Sequence, residues 1–168
     1  MAAEFKVIES NTAAETLSEA STLNFGSVDA VDLVPSSYPI IAGNNSYEKW
    51  IRLQIIDPKG AEIDNVKCWL HQGALKAGEA LKSNLILTGY SAASFPGGGP
   101  VATESTIAVV NIPVDEPPGP NVGIGGQLSG SLTIAGYTDY IVLQLQTQAA
   151  IQSGSVNQKL LVIQWDEQ

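Results

Sequence analysis

Apolar and polar residues alternate most cleanly over residues 47–56, Y-E-K-W-I-R-L-Q-I-I. Ile51, Leu53 and Ile55 share one face there and Arg52 and Gln54 the other, the period of two that marks a half-buried strand. Trp50 falls on the Arg52 face. Gly43-Asn44-Asn45-Ser46 supplies a turn before this strand, and Asp57-Pro58-Lys59-Gly60 supplies a type I turn sequence after it. A partner strand is then expected over residues 63–72, with Val66, Cys68 and Leu70 on one face and Lys67, Trp69 and His71 on the other. The chain ends on two more strand patterns, Y-I-V-L-Q-L-Q-T and L-L-V-I-Q-W-D-E, joined by a Gly/Ser/Asn-bearing connection. They read as a β-hairpin closing a sheet.

The remaining segments are shorter. Residues 23–26 and 105–110 are expected strands, residues 85–90 resume strand, and residues 72–83, broken by Gly73 and Gly78, are expected as a helix or an excursion. F-P-G-G-G-P (95–100) and P-V-D-E-P-P-G (113–119) are connectors. Seven or eight short strands with regular turn signals and no long amphipathic helix predict an all-β chain, an antiparallel β-sandwich of Ig-like or jelly-roll type. Residues 1–22, where a short strand around Phe5 and Ile8 precedes a small polar run, are expected as an extended N-terminal arm. Residues 23–168 then form the single sandwich domain, a natural size for one core.

Composition narrows the function. Charged residues make up 15% of the 168, against roughly 25% in an ordinary soluble domain. Residues 83–168 carry only six acids and one cation, Lys159, which suggests surfaces that meet other protein. A net charge of −9, with no cluster of Lys and Arg, argues against nucleic acid as a partner. No apolar run approaches a membrane span, so no membrane is expected. The first ten residues lack a basic region and an apolar run, so no secretory signal is expected.

Candidate chemistry is thin. Gly123, Gly125 and Gly126 open a glycine-rich segment, but Leu128 breaks G-x-G-x-x-G and no G-K-[ST] follows, so a bent, closely packed loop is expected instead of a phosphate site. His71 is the single histidine, and Cys68 lies on the opposite face of the same strand, so the two cannot form a catalytic pair. Cys68 reads as a small core residue. The acids lack EF-hand spacing, and no metal, cofactor or catalytic residue is assigned. Trp50, Trp69 and Trp165 lie on three different strands, which suits packing or interface anchors and leaves an exposed sugar platform as the alternative.

Three phrases resemble small tailed-phage structural proteins: N-F-G-S-V-D-A with P-I-I-A-G-N-N-S-Y-E-K-W-I-R-L, then N-V-G-I-G-G-Q-L-S-G-S-L-T-I-A-G-Y-T-D-Y-I-V-L-Q-L, then Q-W-D-E. The resemblance covers the chain from about Leu23 onward and implies a virion β-sandwich similar to capsid cement or decoration proteins. Such a protein would bind the major capsid protein on the capsid surface as a homo-oligomer, in the manner of trimers or lower-order clusters, without enzymatic activity. The resemblance transfers no functional residues; from the sequence itself the expected contacts are Phe5 and Ile8 in the arm and the glycine-rich 121–130 segment with Gly123, Gly125 and Gly126, and secondarily Trp50 and Trp69 as aromatic anchors. A tail, baseplate or neck component, or a glycan- or host-surface-binding module, is the alternative.

Overall fold

The computed structural model describes residues 2–71, 75–92, 107–151 and 159–168. Among them the chain forms strands β1 (Glu4–Asn11), β2 (Thr16–Glu19), β3 (Lys49–Asp57), β4 (Ile63–His71), β5 (Glu79–Leu87), β6 (Val110–Asn111), β7 (Gly136–Tyr137), β8 (Tyr140–Thr147) and β9 (Leu160–Glu167), and no helix. The larger sheet runs β2-β1-β3-β8-β5-β6, with β7 also on β3, and the smaller one pairs β4 with β9. Every strand pairing is antiparallel. The chain is thus the expected all-β sandwich.

The core lies between the two sheets. Ile51 of β3 and Ile141, Leu143 and Leu145 of β8 meet Val66, Cys68 and Leu70 of β4, while Leu161, Ile163 and Trp165 of β9 pack more shallowly against the same cluster. This is the alternation of the sequence made physical: the odd-numbered residues of β3 and β8 share the inner face. Val122 and Ile124 of the glycine-rich segment complete it.

Strand pairing departs from the expected pattern in several places. Of the strand expected over residues 63–72, residue 72 lies outside the described residues, and β4 does not pair back on β3. The turn between the strands is hydrogen-bonded from the Ala61 amide to the Pro58 carbonyl at 3.0 Å, and Lys59 and Gly60 both have positive φ, a type I′ pattern shifted one residue from the expected one. From there the chain crosses to the second layer. The closing hairpin is also absent: β8 inserts between β3 and β5, and β9 joins β4 in the other sheet. Residues 23–26 form no strand, although Leu23 and Phe25 pack on the core as loop residues. The excursion expected before residue 83 is replaced from Glu79 onward by β5. Of the strand expected at 105–110, residues 105 and 106 lie outside the described residues, as do the 95–100 connector and the 153–157 connection, and pairing starts only at Val110.

The N-terminal arm is likewise corrected. β1 pairs with β3 from Glu4↔Asp57 to Ser10↔Trp50 and with β2 from Ile8↔Glu19 to Asn11↔Thr16. Its alternation explains why: Ile8 and Ser10 are buried on the outer face and Glu9 and Asn11 on the inner one, so the segment is an interior strand of the sheet.

Among the described residues, the smaller sheet is guarded along one side only. Asn121 reaches the outer edge of β4 and acts as a strand in miniature, its Oδ1 accepting from the Cys68 amide at 2.7 Å and its Nδ2 donating to the Cys68 carbonyl at 2.8 Å. Along the same edge, the Leu70 amide donates to the Pro113 carbonyl, and Ile63 exchanges two hydrogen bonds with Leu132. Between Asp64 and Lys67 the β4–β9 register shifts at a bulge, where Asn65 adopts φ 50°, the left-handed geometry such bulges use.

Candidate interaction surfaces

The residues expected to carry contacts go to different places. Phe5 is 48% exposed and meets Trp165 edge-on, ring centres 4.6 Å apart, so it bridges β1 to β9 while keeping an open face. Ile8 is buried. Trp50 is 1% exposed and Trp69 7%, so both are packing anchors and neither offers the open ring a sugar platform requires. Ala108, Tyr140 and Val142, with Tyr90 beside them, cover Trp50 despite the charged neighbours on its strand.

The glycine-rich segment is a tight hairpin. Ile124 and Gln127 bridge across Gly125 and Gly126, which both have positive φ and are exposed at the tip. Gly123 is buried, and a Cβ there would stand 2.1 Å from Asp139 Oδ2. That same oxygen accepts from the Gly126 amide at 2.8 Å. The loop is therefore bent and closely packed, as its sequence predicts, and only its tip is free for contact.

Two polar clusters sit on opposite faces of β1 and β3. On the outer face Trp50 packs edge-on against Tyr90 and Tyr140, at 5.3 and 5.6 Å between ring centres. The Arg52 guanidinium lies 4.0 Å from the centre of the Tyr137 ring and 4.6 Å from that of Tyr140. Glu15, from the turn between β1 and β2, accepts from the Tyr140 hydroxyl and from Ser10 Oγ and pairs with Arg52 at 3.7 Å. Burial, reinforced by the Glu15 carboxylate, pushes the Tyr140 hydroxyl above its ordinary range. Burial likewise pushes Tyr90 up to about 12, with nearby Asp29 and Glu15 adding to it. Every polar group in this cluster except Arg52 Nε has a partner or solvent, so the cluster reads as a latch that fixes the β1–β2 hairpin.

On the inner face Lys49 and Glu9 form a buried ion pair at 2.7 Å. Lys49 also donates to the Ala30 carbonyl, and Asn11 Nδ2 donates to Glu9 and to Asp29 at 2.8 and 2.7 Å. A buried pair of this kind contributes little net stability, but breaking it is costly because it strands a charge. Both clusters hold loops onto strands, and sequence reading missed them because each joins residues far apart in the chain.

Several large apolar side chains also stand open on the surface. Ile134 is 73% exposed and Val110 65%, with Val109, Ile41 and Leu160 also more than half exposed. No sequence pattern marks these residues, since they lie in loops or at strand ends where alternation has no reading frame. His71 is exposed at the end of β4, and Cys68 is buried with its thiol pushed up to about 12 by burial. Among the described residues no group of three or more His, Cys, Asp or Glu side chains converges to hold a metal ion. No family model matches this chain, and neither the curated proteins nor the solved structures compared with it give a match.

Proposed function

We propose that this chain is a non-enzymatic structural component of a tailed-phage particle, acting as a capsid decoration protein that binds the assembled shell. The observation that carries the reading is the coincidence of exposed apolar side chains with sparse charge. Val109, Val110 and Ile134 stand out from the surface within residues 83–168, which bear six acids and one lysine. Exposed apolar side chains with few charges between them favour association with protein. The resemblance to cement proteins supplies the partner, the major capsid protein, and the sandwich supplies a rigid body. Binding only the assembled shell would stabilise it by mass action.

The test is this chain's copy number relative to the major capsid protein in purified virions, read by quantitative mass spectrometry. Whole-shell stoichiometry is the expected result. A few copies per particle would move the chain to the tail, baseplate or neck, and absence from the particle would overturn the reading.

A further inference from the structure

Among the described residues, the second sheet ends on β9, which has a neighbour on the β4 side alone. On β9 the side toward β4 is fully used, whereas no described residue hydrogen-bonds the backbone of its other side. The register identifies the free groups. Cys68 gives both backbone groups to Asn121 and Leu70 gives its amide to Pro113, so both point away from β9. Cys68↔Ile163 and Leu70↔Leu161 are therefore non-hydrogen-bonded pairs, and in such pairs both partners aim their N–H and C=O groups outward. Leu161, Ile163 and Trp165 then line the open edge. They are only partly buried although they face the core, and a depression beside them is lined, among the described residues, by 162–168.

Free edges are ordinarily blunted by short length, charge, proline or a bulge in the strand. The larger sheet follows that rule, ending on β2, a four-residue strand carrying Glu19, and on the two residues of β6. β9 runs eight residues, and L-L-V-I-Q-W is uncharged until Asp166.

We infer that β9 pairs antiparallel with β9 of a second copy about a two-fold axis through Ile163. In this register Leu161 faces the copy's Trp165, and Ile163 faces its own counterpart, all on the core side. Lys159 falls opposite Glu167 of the copy at both ends, bringing the only cation beyond Lys82 to an acid. The same register sets Asp166 and Glu167 apart from their counterparts, where like charges directly opposite would oppose pairing. The occupant is thus a second copy of this chain, in a two-fold pair instead of the three-fold cluster that the resemblance to cement proteins implies. The inference stands apart from the virion reading and survives if that reading fails.

Sedimentation of the full chain over a wide concentration series, with hydrogen exchange on the same samples, tests it. A monomer–dimer equilibrium is expected, with the amides of Leu161, Ile163 and Trp165 protected as dimer accumulates. Lys159→Glu should weaken the dimer about tenfold, since two end contacts turn repulsive at once. Val162→Cys with Gln164→Cys should give a covalent dimer on mild oxidation, because these residues oppose each other across the axis at the close, non-hydrogen-bonded spacing. A trimer, or a monomer at every concentration with no cross-link, would overturn the inference. So would protection of these amides only on adding another virion protein, which would give the edge to that protein's strand.

Discussion

β8 and β9 have nearly the same sequence character and opposite circumstances. Y-I-V-L-Q-L in β8 is buried at six consecutive positions, flanked by strands on both sides and covered on both faces. L-L-V-I-Q-W in β9 is nowhere fully buried and has one neighbour among the described residues. Two apolar runs of similar composition therefore differ through position alone: one is the spine of the larger sheet, and the other presents an edge. A run of apolar residues states how much surface a strand can bury, and the topology decides how much it does bury.

The largest effect expected on this contrast comes from the charge that flanks β8. Lys49 pairs with Leu143 across β3 and β8 and holds Glu9 in the core. Lys49→Met should cost about 3–5 kcal/mol, because it leaves the Glu9 carboxylate buried and unpaired. Replacing both, with Glu9→Leu added, should recover most of that loss. Urea denaturation measures both variants. A single variant as stable as the parent would mean that the pair is not buried in solution.

Truncation compares the strands directly. Ile141→Ala on β8 should cost about 2–5 kcal/mol, from lost burial and the cavity left behind. Leu161→Ala on β9 should cost about 1 kcal/mol, because its side chain is only partly withdrawn from water. Equal losses would show that β9 is covered in solution, the outcome that pairing of two copies would itself produce at high protein concentration. The comparison is therefore sharpest in dilute samples.

The alternation of β3 and β8 made the all-β class and the inner-face residues legible, and Cys68 was placed in the core by the same means. Pairing was not legible. The connection from Asp57 to Ile63 looks like a hairpin turn, and the turn is present, but whether the chain then pairs back or crosses layers depends on which strand later occupies the side of β3. That strand is β8, some ninety residues on, and no local signal encodes it. The same long-range choice split the expected closing hairpin between two sheets. The N-terminal segment reads as an arm because a small polar run follows its short strand, and its pairing stays hidden because the inward Glu9 and Asn11 are polar residues whose partners Lys49 and Asp29 lie far along the chain. The open surface was least legible of all, since the exposure of Ile134 or Val110 records what fails to cover them.

Alkaline titration separates the layers by a smaller effect. Cys68 lies against β9 in the second sheet, and burial raises its thiol from 9.0 to about 12. Tyr140 opens β8, and Tyr90 packs with it on the outer face; burial raises both above 10.0. A raised value means that the folded chain keeps its proton where the unfolded chain has lost it. The stability these groups contribute is thus present below the unfolded value and is lost as pH rises toward the folded one. Between pH 9 and 10 the thiol acts before the tyrosines, and it should lower stability by up to about 1.4 kcal/mol over that unit. Above pH 10 Tyr90 and Tyr140 steepen the fall. Cys68→Ala should flatten the first segment and leave the second, whereas Tyr90→Phe should do the reverse. Urea midpoints at a series of pH values read both slopes. If Cys68→Ala leaves the first segment unchanged, the thiol is reaching water in the native state, and β9 opens away from β4 far more readily than β8 leaves its neighbours.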